Sequence, residues 1–486
     1  MMAKVNGMQI IQRRRAHRLW SMTWVAAWWL AGCATPADSP PRVVALPASW
    51  QGAQPDANGT IIDVRWWSAL GSPELDALIE QAQDHNQDLA MALARVASAR
   101  AQARIAGALR RPELVGQIDA SRQARMGGQA DVDGNARVVG FAARYELDLW
   151  GRQLALHREA QQGLRASVFE RDAIKVSVTA EVASSWLQLV ALRERVLIAR
   201  SSLDNAQRVL RLVESRGRAG KATPLDLAQQ RGLAAGRQRE LAHLQQQVLH
   251  AETALALLLG FPEPAKALAS KVGHTRLETL QIPTISAGMP SQLLVRRPDL
   301  AQAEARLAAA DANVLAARAA MLPRVTLMSS VGLQGQAPGG LFDNPIYSLA
   351  AGLAAPIFDG ERLAGARALA EARREELLGA YRAAIIAAFA DARTALDAVA
   401  GTDAQASAQV EELLQARRAA ELSELRYRAG AETLLALLDA QRTLYSAQDL
   451  DVQHRLARLQ ARVALYRALG GGWRDEAGAL ASQKAP

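Results

Sequence analysis

Apolar residues recur along this chain with two different periods, and each change of period marks a new element. Over 152–215 they return at helical spacing, with seven-residue steps through Val196, Leu203 and Leu210, and no proline interrupts them. At 1.5 Å per residue this stretch predicts a helix about 96 Å long, and a similar stretch over 361–428 predicts a second of about 102 Å. These two helices are the largest elements that the pattern predicts.

The period changes to two ahead of each long helix. Apolar residues alternate with polar or small ones over 139–149, and more weakly over 114–122. The same alternation returns over 325–333 and 349–357. The sequence therefore predicts two strand pairs, about 114–149 and 324–358, each with one apolar face and one mostly polar face.

Shorter helices complete the pattern. One begins at Ser72-Pro73-Glu74, and four more are predicted at about 89–110, 224–259, 299–322 and 433–469. Two of the four follow tight turns, in which Gly220 or Gly430 ends a long helix and Thr223 or Thr433 caps the next. Laid end to end, shorter helices of about 22 and 36 residues nearly match the long helix in length. The expected architecture is an antiparallel bundle.

The chain repeats itself once. Asp88-Leu89-Ala90 recurs as Asp299-Leu300-Ala301 after 211 residues, and Leu259-Gly260 recurs as Leu469-Gly470 after 210. A register this constant over so many positions indicates an internal duplication, and a period this long is not that of a short-repeat solenoid.

The duplication sets the expected domain organisation. Repeat 1 spans 66–260 and repeat 2 spans 291–470. A linker over 261–290, with prolines at 262, 264, 283 and 290, joins them at mid-height of the bundle. The small and polar tail over 471–486 is predicted to be disordered.

Composition and charge narrow the classes of function. The 486 residues carry a formal charge of +9, but the first 32 contain five basic residues and no acidic one, which leaves +4 for the rest. Because charges of both signs are mixed along the helices, no nucleic-acid partner is expected. Seven scattered histidines and the lack of a nucleophile–base arrangement predict no metal site, no cofactor and no enzyme.

The only cysteine, Cys33, ends a segment that is typical of export. Arg13-Arg14-Arg15 precedes a short apolar stretch, which closes with Leu30-Ala31-Gly32 before Cys33. Residues 1–32 therefore read as a signal peptide that is too short to span a membrane. The ending resembles a bacterial lipobox, which implies an N-palmitoyl and S-diacylglycerol Cys33. Ala34 after the cysteine resembles the outer-membrane type, although an ordinary cleavage site beside an incidental cysteine is the alternative.

The mature chain would then begin with a lipidated tether over 33–65. Four prolines between 36 and 47 predict an extended segment there.

The strand pairs fit either an ordinary sheet or a membrane barrel with lipid outside and water inside. Two features favour the barrel: only four strands are predicted, and no further layer of the sequence covers their apolar face. Four strands cannot close a barrel, and open edges are not tolerated in lipid. Several chains are therefore expected to pool their strands, and with them their long helices.

Several sequence blocks resemble the outer membrane efflux protein family, the TolC/OprM-like channel lipoproteins of tripartite pumps. They follow in family order along nearly the whole mature chain: Tyr145–Arg152, Leu293–Leu300, Ala355–Gly360, Arg426–Gly430, Leu437–Arg442 and Tyr466–Trp473. The resemblance implies a mixed fold, with an all-α tube across the periplasm and a membrane β-barrel, built by a homotrimer with four strands, two long helices and four shorter helices per chain.

The same resemblance implies a function. The trimer would be an outer-membrane exit duct for drugs or other small toxic compounds, held in the lipid of the outer membrane. Its partners would be a periplasmic adaptor protein and an inner-membrane RND-type pump, which supplies the energy.

The resemblance also implies a periplasmic gate after the second tight turn. Leu435 would form an apolar constriction, and Asp439 a ring of carboxylates that Arg442 can pair with at i, i+3. Tyr427 and Arg428 would tie the closed tip to a neighbouring helix. The alternative is that Leu435 is a packing residue and Asp439–Arg442 a solvated ion pair worth well under about 1 kcal/mol.

Two other functions remain open at this point. One is the outer-membrane duct of a type I protein secretion system, which would use the same fold. The other is a non-conducting, coiled-coil lipoprotein, against which the two alternating strand pairs argue.

Overall fold

The computed structural model of the chain describes most of the two repeats. It covers residues 49–50, 63–124, 126–129, 134–264, 273, 275–285, 288–336 and 340–474, all within one compact unit of the chain. The signal peptide, Cys33 and most of the tether lie outside the described residues.

The described elements follow the predicted order. They are α1 (Pro73–His85), α2 (Gln87–Ala108), β1 (Glu113–Gln123), β2 (Gly134–Leu147), α3 (Arg152–Arg218), α4 (Pro224–Leu258), α5 (Leu293–Arg296), α6 (Pro298–Ala319), β3 (Arg324–Gly335), β4 (Pro345–Ala354), α7 (Arg362–Arg428) and α8 (Leu434–Ala468). The expected long helices are α3 and α7, and the expected shorter ones are α2, α4, α6 and α8. The single turn of α5 and three 3-10 turns, at Trp66–Leu70, Leu277–Thr279 and Pro290–Gln292, were not expected.

The duplication holds to the residue. The long helices α3 and α7 have 67 residues each, and α4 and α8 have 35 each. Both pairs are offset by 210 residues, whereas α2 and α6, with 22 residues each, are offset by 211. Each residue of these helices in one repeat therefore has a defined equivalent in the other.

The four strands form one antiparallel sheet in the order β1-β2-β3-β4. Glu113 pairs with Arg144, which in turn pairs with Met328, and Arg324 pairs with Ala354. Every residue of β1 and β4 is exposed, and neither outer edge has a partner strand within the described residues.

Both strand pairs end earlier than predicted. The strand β2 ends at Leu147 and not at 149, because the Asp148 carboxylate turns to accept the N–H groups of Gln153 and Leu154 and so caps α3. The strand β4 ends at Ala354 and not at 358. Pro356 follows it and has no N–H to donate to a ladder.

The helices pack around α3. It contacts α2 and α4, which belong to its own repeat, and also α6 and α8 of the other repeat. The second long helix, α7, packs chiefly on α6 and α8. The core of these contacts is fully buried, as at Trp186, Leu187 and Leu189. Among the described residues, α2 and α4 therefore form one uncovered edge and α7 forms the other.

The two shorter helices of each repeat meet end to end at a joint, and the repeats build it with different side chains. In repeat 1, Asn86 Oδ1 caps α2 by accepting the N–H groups of residues 88 and 89, while its Nδ2 donates to Leu258 O at 2.9 Å. In repeat 2 the equivalent residue, Arg297, donates to Ala468 O at 3.2 Å and to both Asp299 and Asp391. Burial opposes ionisation of Arg297, but these carboxylates outweigh it, so the pKa of the guanidinium is raised.

A glycine at each joint allows the two backbones to approach closely. Gly260 has φ +78° and a Cβ on it would lie 2.3 Å from His85 O; Gly470 has φ +98° and a Cβ on it would lie 2.0 Å from Arg296 O. Both positions therefore exclude any side chain, through backbone conformation and through contact.

Residues 471–474 belong to the fold, so the prediction of a disordered tail is wrong for them. Trp473 Nε1 donates to Asp172 Oδ2 at 3.0 Å, and its ring meets Phe169 edge-on with centroids 5.6 Å apart. Gly472 lies so close to the chain entering repeat 1 that a Cβ would be 2.2 Å from Asp63 O. Residues 475–486 lie outside the described residues.

We expect Gly470→Ala to destabilise the protein by about 2–5 kcal/mol, because it combines a strained backbone with overpacking. The measurement is thermal unfolding of the purified protein in detergent. Gly379→Ala, in the exposed middle of α7 with no atom within 4 Å of a new Cβ, is the control and should stabilise slightly. Equal unfolding temperatures for the two variants would contradict the close joint.

Candidate functional site

Two hairpin tips lie at the ends of the long helices. The first tip, residues 216–231, joins α3 to α4, and the second tip, residues 426–442, joins α7 to α8. Gly220 and Gly430 adopt φ +73° and +80° and so reverse the chain. Thr223 forms a full capping box with Asp226, whereas Thr433 caps α8 through the N–H of Ala436 alone.

Tyr427 ties the second tip to the first. Its ring is 5% exposed and packs with Val209 and Val213 of α3 and with Leu434 and Leu437 of α8. An aromatic ring buried between both hairpins fixes their relative position.

Arg216, which the sequence did not single out, covers the other face of that ring. Its guanidinium lies 4.4 Å from the Tyr427 ring centroid and donates to Tyr427 O at 3.1 Å and to Arg428 O at 3.4 Å. Its equivalent in repeat 2, Arg426, instead pairs loosely with Glu432 at 3.7 Å. The cation and the backbone bonds together hold the end of α7 against the end of α3.

Arg428 is the last residue of α7, and its predicted tie to a neighbouring helix stays a prediction. Its side chain pairs with Glu424 on its own helix, and only its carbonyl oxygen contacts the neighbouring hairpin, through Arg216. The tie between the tips therefore runs through Tyr427 and Arg216.

Leu435, Asp439 and Arg442 share the outward side of α8. The Leu435 side chain is 66% exposed, although its neighbours Leu434 and Leu437 are buried. Arg442 donates to Asp439 at 2.7 Å, and the two side chains are 74% and 63% exposed. In one chain, most of the Leu435 surface is therefore uncovered, and the ion pair contributes little to stability.

Gln441 is a second residue that the sequence did not reveal. It is 3% exposed, and neither polar atom of its side chain has a hydrogen-bond partner within the described residues. A buried glutamine of the first hairpin, Gln230, donates from Nε2 to Ala206 O at 2.6 Å and leaves only its Oε1 without a partner. An unsatisfied buried amide costs about 1–3 kcal/mol, so Gln441 is packed less favourably than Gln230.

On the strand side of the second tip, a buried ion pair joins α7 to α8. Arg462 is 6% exposed and donates to Asp403 at 2.6 Å, while Arg458 donates to the same carboxylate at 3.1 Å. Burial opposes ionisation of Asp403, but the hydrogen bonds from the two arginines outweigh it and hold the pKa of this carboxyl below its ordinary value. This link fixes the hairpin away from its tip.

The described ranges contain no cluster of His, Cys, Asp and Glu that would hold a metal ion.

None of the helices in these ranges has a stretch long and apolar enough to cross a membrane.

Comparison with known proteins places these features in context. A family model described as "Outer membrane efflux protein" matches residues 78–261 and again 289–471, so each match falls on one repeat. The pyoverdine export outer membrane protein OpmQ of Pseudomonas putida is 46% identical over 457 residues, covering 92% of this chain and 96% of the relative.

More distant proteins match over most of their length as well. The toluene efflux pump outer membrane protein TtgI of Pseudomonas putida is 30% identical over 82% of this chain and 86% of its own. The open-state crystal structure of the Neisseria gonorrhoeae MtrE outer membrane channel has a TM-score of 0.80 and 29% identity, covering 90% of this chain and 98% of that one.

We expect Arg216→Gln to loosen the second tip, because it removes the cation from the Tyr427 ring and two bonds to the end of α7. Hydrogen–deuterium exchange of the amides over 426–434 should become faster, while the middle of α7 keeps its protection. Arg218→Gln is the control, since Arg218 has no side-chain partner among the described residues. Equal exchange in both variants would show that Arg216 does not hold the tip.

Proposed function

Since the chain belongs to the outer membrane efflux protein family, we propose that it forms an outer-membrane exit duct that the second tip closes on its periplasmic side. The observation that carries this proposal is the double match of the family model, because the two matched ranges contain all four strands, both long helices and both tips. The family consists of channel proteins, and we propose no enzymatic activity for this member.

We propose that the duct is a homotrimer, and its open edges support this. Strand β1 and the helices α2 and α4 form one uncovered edge, and strand β4 and the helix α7 form the other. Joining unlike edges gives a head-to-tail contact that can close into a ring. Two copies would supply eight strands, and the interior of an eight-stranded barrel is filled by its own side chains. Three copies, with twelve strands, are therefore the smallest ring that leaves a water-filled passage.

The duplication predicts the register of the strand contact between chains. The pairing of β2 with β3 inside one chain, in which Arg144 faces Met328, serves as its template. In this template Arg144 of β2 is replaced by its β4 equivalent, Ala354, and Met328 of β3 by its β1 equivalent, Gln117. Ala354 of one chain therefore lies opposite Gln117 of the next. The same register brings together Leu353 and Ile118, which are 73% and 81% exposed and lie on the apolar face.

We propose that the cargo is a secreted small molecule such as a siderophore. The 46% identical OpmQ, which covers almost the whole chain, is named for pyoverdine export. Toxic small compounds are the second candidate, because the 30% identical TtgI is named for toluene efflux. A deletion strain that secretes its siderophore normally but becomes sensitive to solvents would favour the second candidate.

The proposed partners are a periplasmic adaptor and an inner-membrane pump of the RND type, since relatives are outer-membrane components of efflux pumps. Affinity purification of the tagged chain after cross-linking in cells should recover both, and recovery of a type I secretion transporter would contradict the assignment.

We also propose that Cys33 carries the lipid anchor. The support is its place at the end of the signal segment and its being the only cysteine in the chain. The intact mass of the mature protein should equal that of a chain that begins at Cys33 and carries three acyl chains. A mass without the acyl chains would refute the anchor.

The gate itself is tested by Leu435→Ala/Asp439→Ala. We expect the wild type to show a small cation-preferring conductance in planar bilayers and the double variant a much larger one, because an apolar constriction and a carboxylate ring are both removed. Leu225→Ala is the matched control: Leu225 is equivalent to Leu435 in the first tip and is similarly exposed, at 65%. A conducting wild type with an unchanged double variant would place the gate elsewhere.

A further inference from the structure

The junction between helices and strands holds a basic cavity in repeat 1. It measures about 1150 Å³ and lies between the ends of α2 and β2 and the starts of β1 and α3. Five exposed arginines line it: Arg100, Arg104, Arg110, Arg111 and Arg144. None of the five pairs with a carboxylate among the described residues.

The nearby carboxylates do not balance these charges. Glu146 also lines the cavity, but it is held by Arg152 through bonds of 2.9 and 3.0 Å. Glu113 is the one lining carboxylate that remains for five guanidinium groups. The cavity therefore has a strong excess of positive charge, which attracts anions.

Repeat 2 shows that the fold does not need these arginines. With the offset of 211 that relates α2 to α6, the positions equivalent to 100, 104, 110 and 111 hold Asp311, Leu315, Met321 and Leu322. Arg318, near the C-terminus of α6, is paired with Glu371 at 3.1 Å. A cation is favourable near a helix C-terminus, which could account for Arg110 and Arg111 after α2 but not for the other three arginines. The equivalent helix, α6, forms with Met321 and Leu322 at these two positions.

The arginines stay accessible when chains associate. In repeat 2 the equivalent helix, α6, already has α3 on one side and α7 on the other. There the side chains of Asp311, Leu315 and Met321 are still 49%, 47% and 38% exposed. By the same packing, Arg100, Arg104 and Arg110 remain open to solvent once a neighbouring chain covers α2.

The cavity opens on the polar face of the sheet. Glu113 and Arg144 are register partners and so point to the same side, as does Glu146 two residues on. Phe141, Tyr145 and Leu147 point to the other side. In a closed barrel the polar face lines the water-filled interior, so the cavity faces the passage.

We propose that these arginines form an anion-binding ring inside the duct, five per chain, which takes up the carboxylate groups of anionic cargo where the helical tube meets the strands. The proposal rests on the duct proposed above and names a charge class for its cargo. Guanidinium groups suit this role, since they bind carboxylates in bidentate fashion and remain charged at any physiological pH.

The test uses the open channel Leu435→Ala/Asp439→Ala as background in planar bilayers. Into it we place Arg104→Leu/Arg110→Met, which are the residues that repeat 2 carries at the equivalent positions and so are compatible with the junction. The chloride-to-potassium permeability ratio, from the reversal potential in a KCl gradient, should fall by about threefold or more, as the local anion concentration drops. The citrate concentration that half-blocks the current should rise by a similar factor.

Relocating the charges provides the rescue. Adding Leu315→Arg/Met321→Arg to the same variant moves two arginines to the second junction, and the permeability ratio should recover. Arg104→Gln/Arg110→Gln serves if the apolar pair impairs assembly.

The outcomes separate this inference from the duct itself. An open channel whose permeability ratio and citrate block do not change in either variant overturns the anion ring and leaves the duct intact. A background channel that carries no current contradicts the duct and the ring together.

Discussion

The outer edges of β1 and β4 present backbone N–H and C=O groups with no partner among the described residues, and a sheet in lipid cannot leave them so. This requirement is the physical reason for our proposal that several copies of the chain associate. Both edge strands also carry exposed leucine and isoleucine side chains. The uncovered sides of α2, α4 and α7 continue these edges along the helices and need partners for the same reason. In the proposed ring, association of unlike edges gives partners to the backbone groups and covers the apolar side chains in one step.

The internal duplication provides a reference state within the molecule. Helices of identical length occupy equivalent places, so a residue that differs between repeats is not dictated by the fold. Asn86 and Arg297 differ, but each donates a hydrogen bond to a carbonyl oxygen at the end of the helix it meets. The hydrogen bond across the joint is therefore common to both repeats, and the residue type that supplies it is not. In the second hairpin Gln441 is buried with neither polar side-chain atom hydrogen-bonded among the described residues, whereas Gln230 of the first hairpin is hydrogen-bonded through Nε2.

The sequence predicted the fold well because the fold depends on periodicity. Helix and strand positions came from apolar spacing, and the tips from glycine and threonine at fixed places. The strand ends were wrong because Asp148 caps α3 in preference to extending β2. The tail was wrong because composition alone does not reveal that Trp473 reaches Asp172, 301 residues away.

Prediction of the site went less far, for a physical reason. Leu435, Asp439 and Arg442 were placed by resemblance, and one chain can show only that they are exposed. Arg216 matters through a contact between two hairpins that lie about 210 residues apart in sequence, and Gln441 matters through its burial; no local pattern encodes either. A comparison of equivalent residues in the repeats would have found one signal: four of the five unpaired arginines of repeat 1 have equivalents in repeat 2 that are not basic.

The most direct measurement of the central claim is a cross-link between edge strands of neighbouring chains. In Ile118→Cys/Leu353→Cys, a short thiol-reactive cross-linker applied to the purified assembly should give covalent species up to three chains and none larger, because paired side chains lie about 5 Å apart and the ring closes. The pair Ile118→Cys/Ala351→Cys, out of register by two residues, should react much less. A purely monomeric product, or a ladder that continues beyond three, would contradict the closed ring.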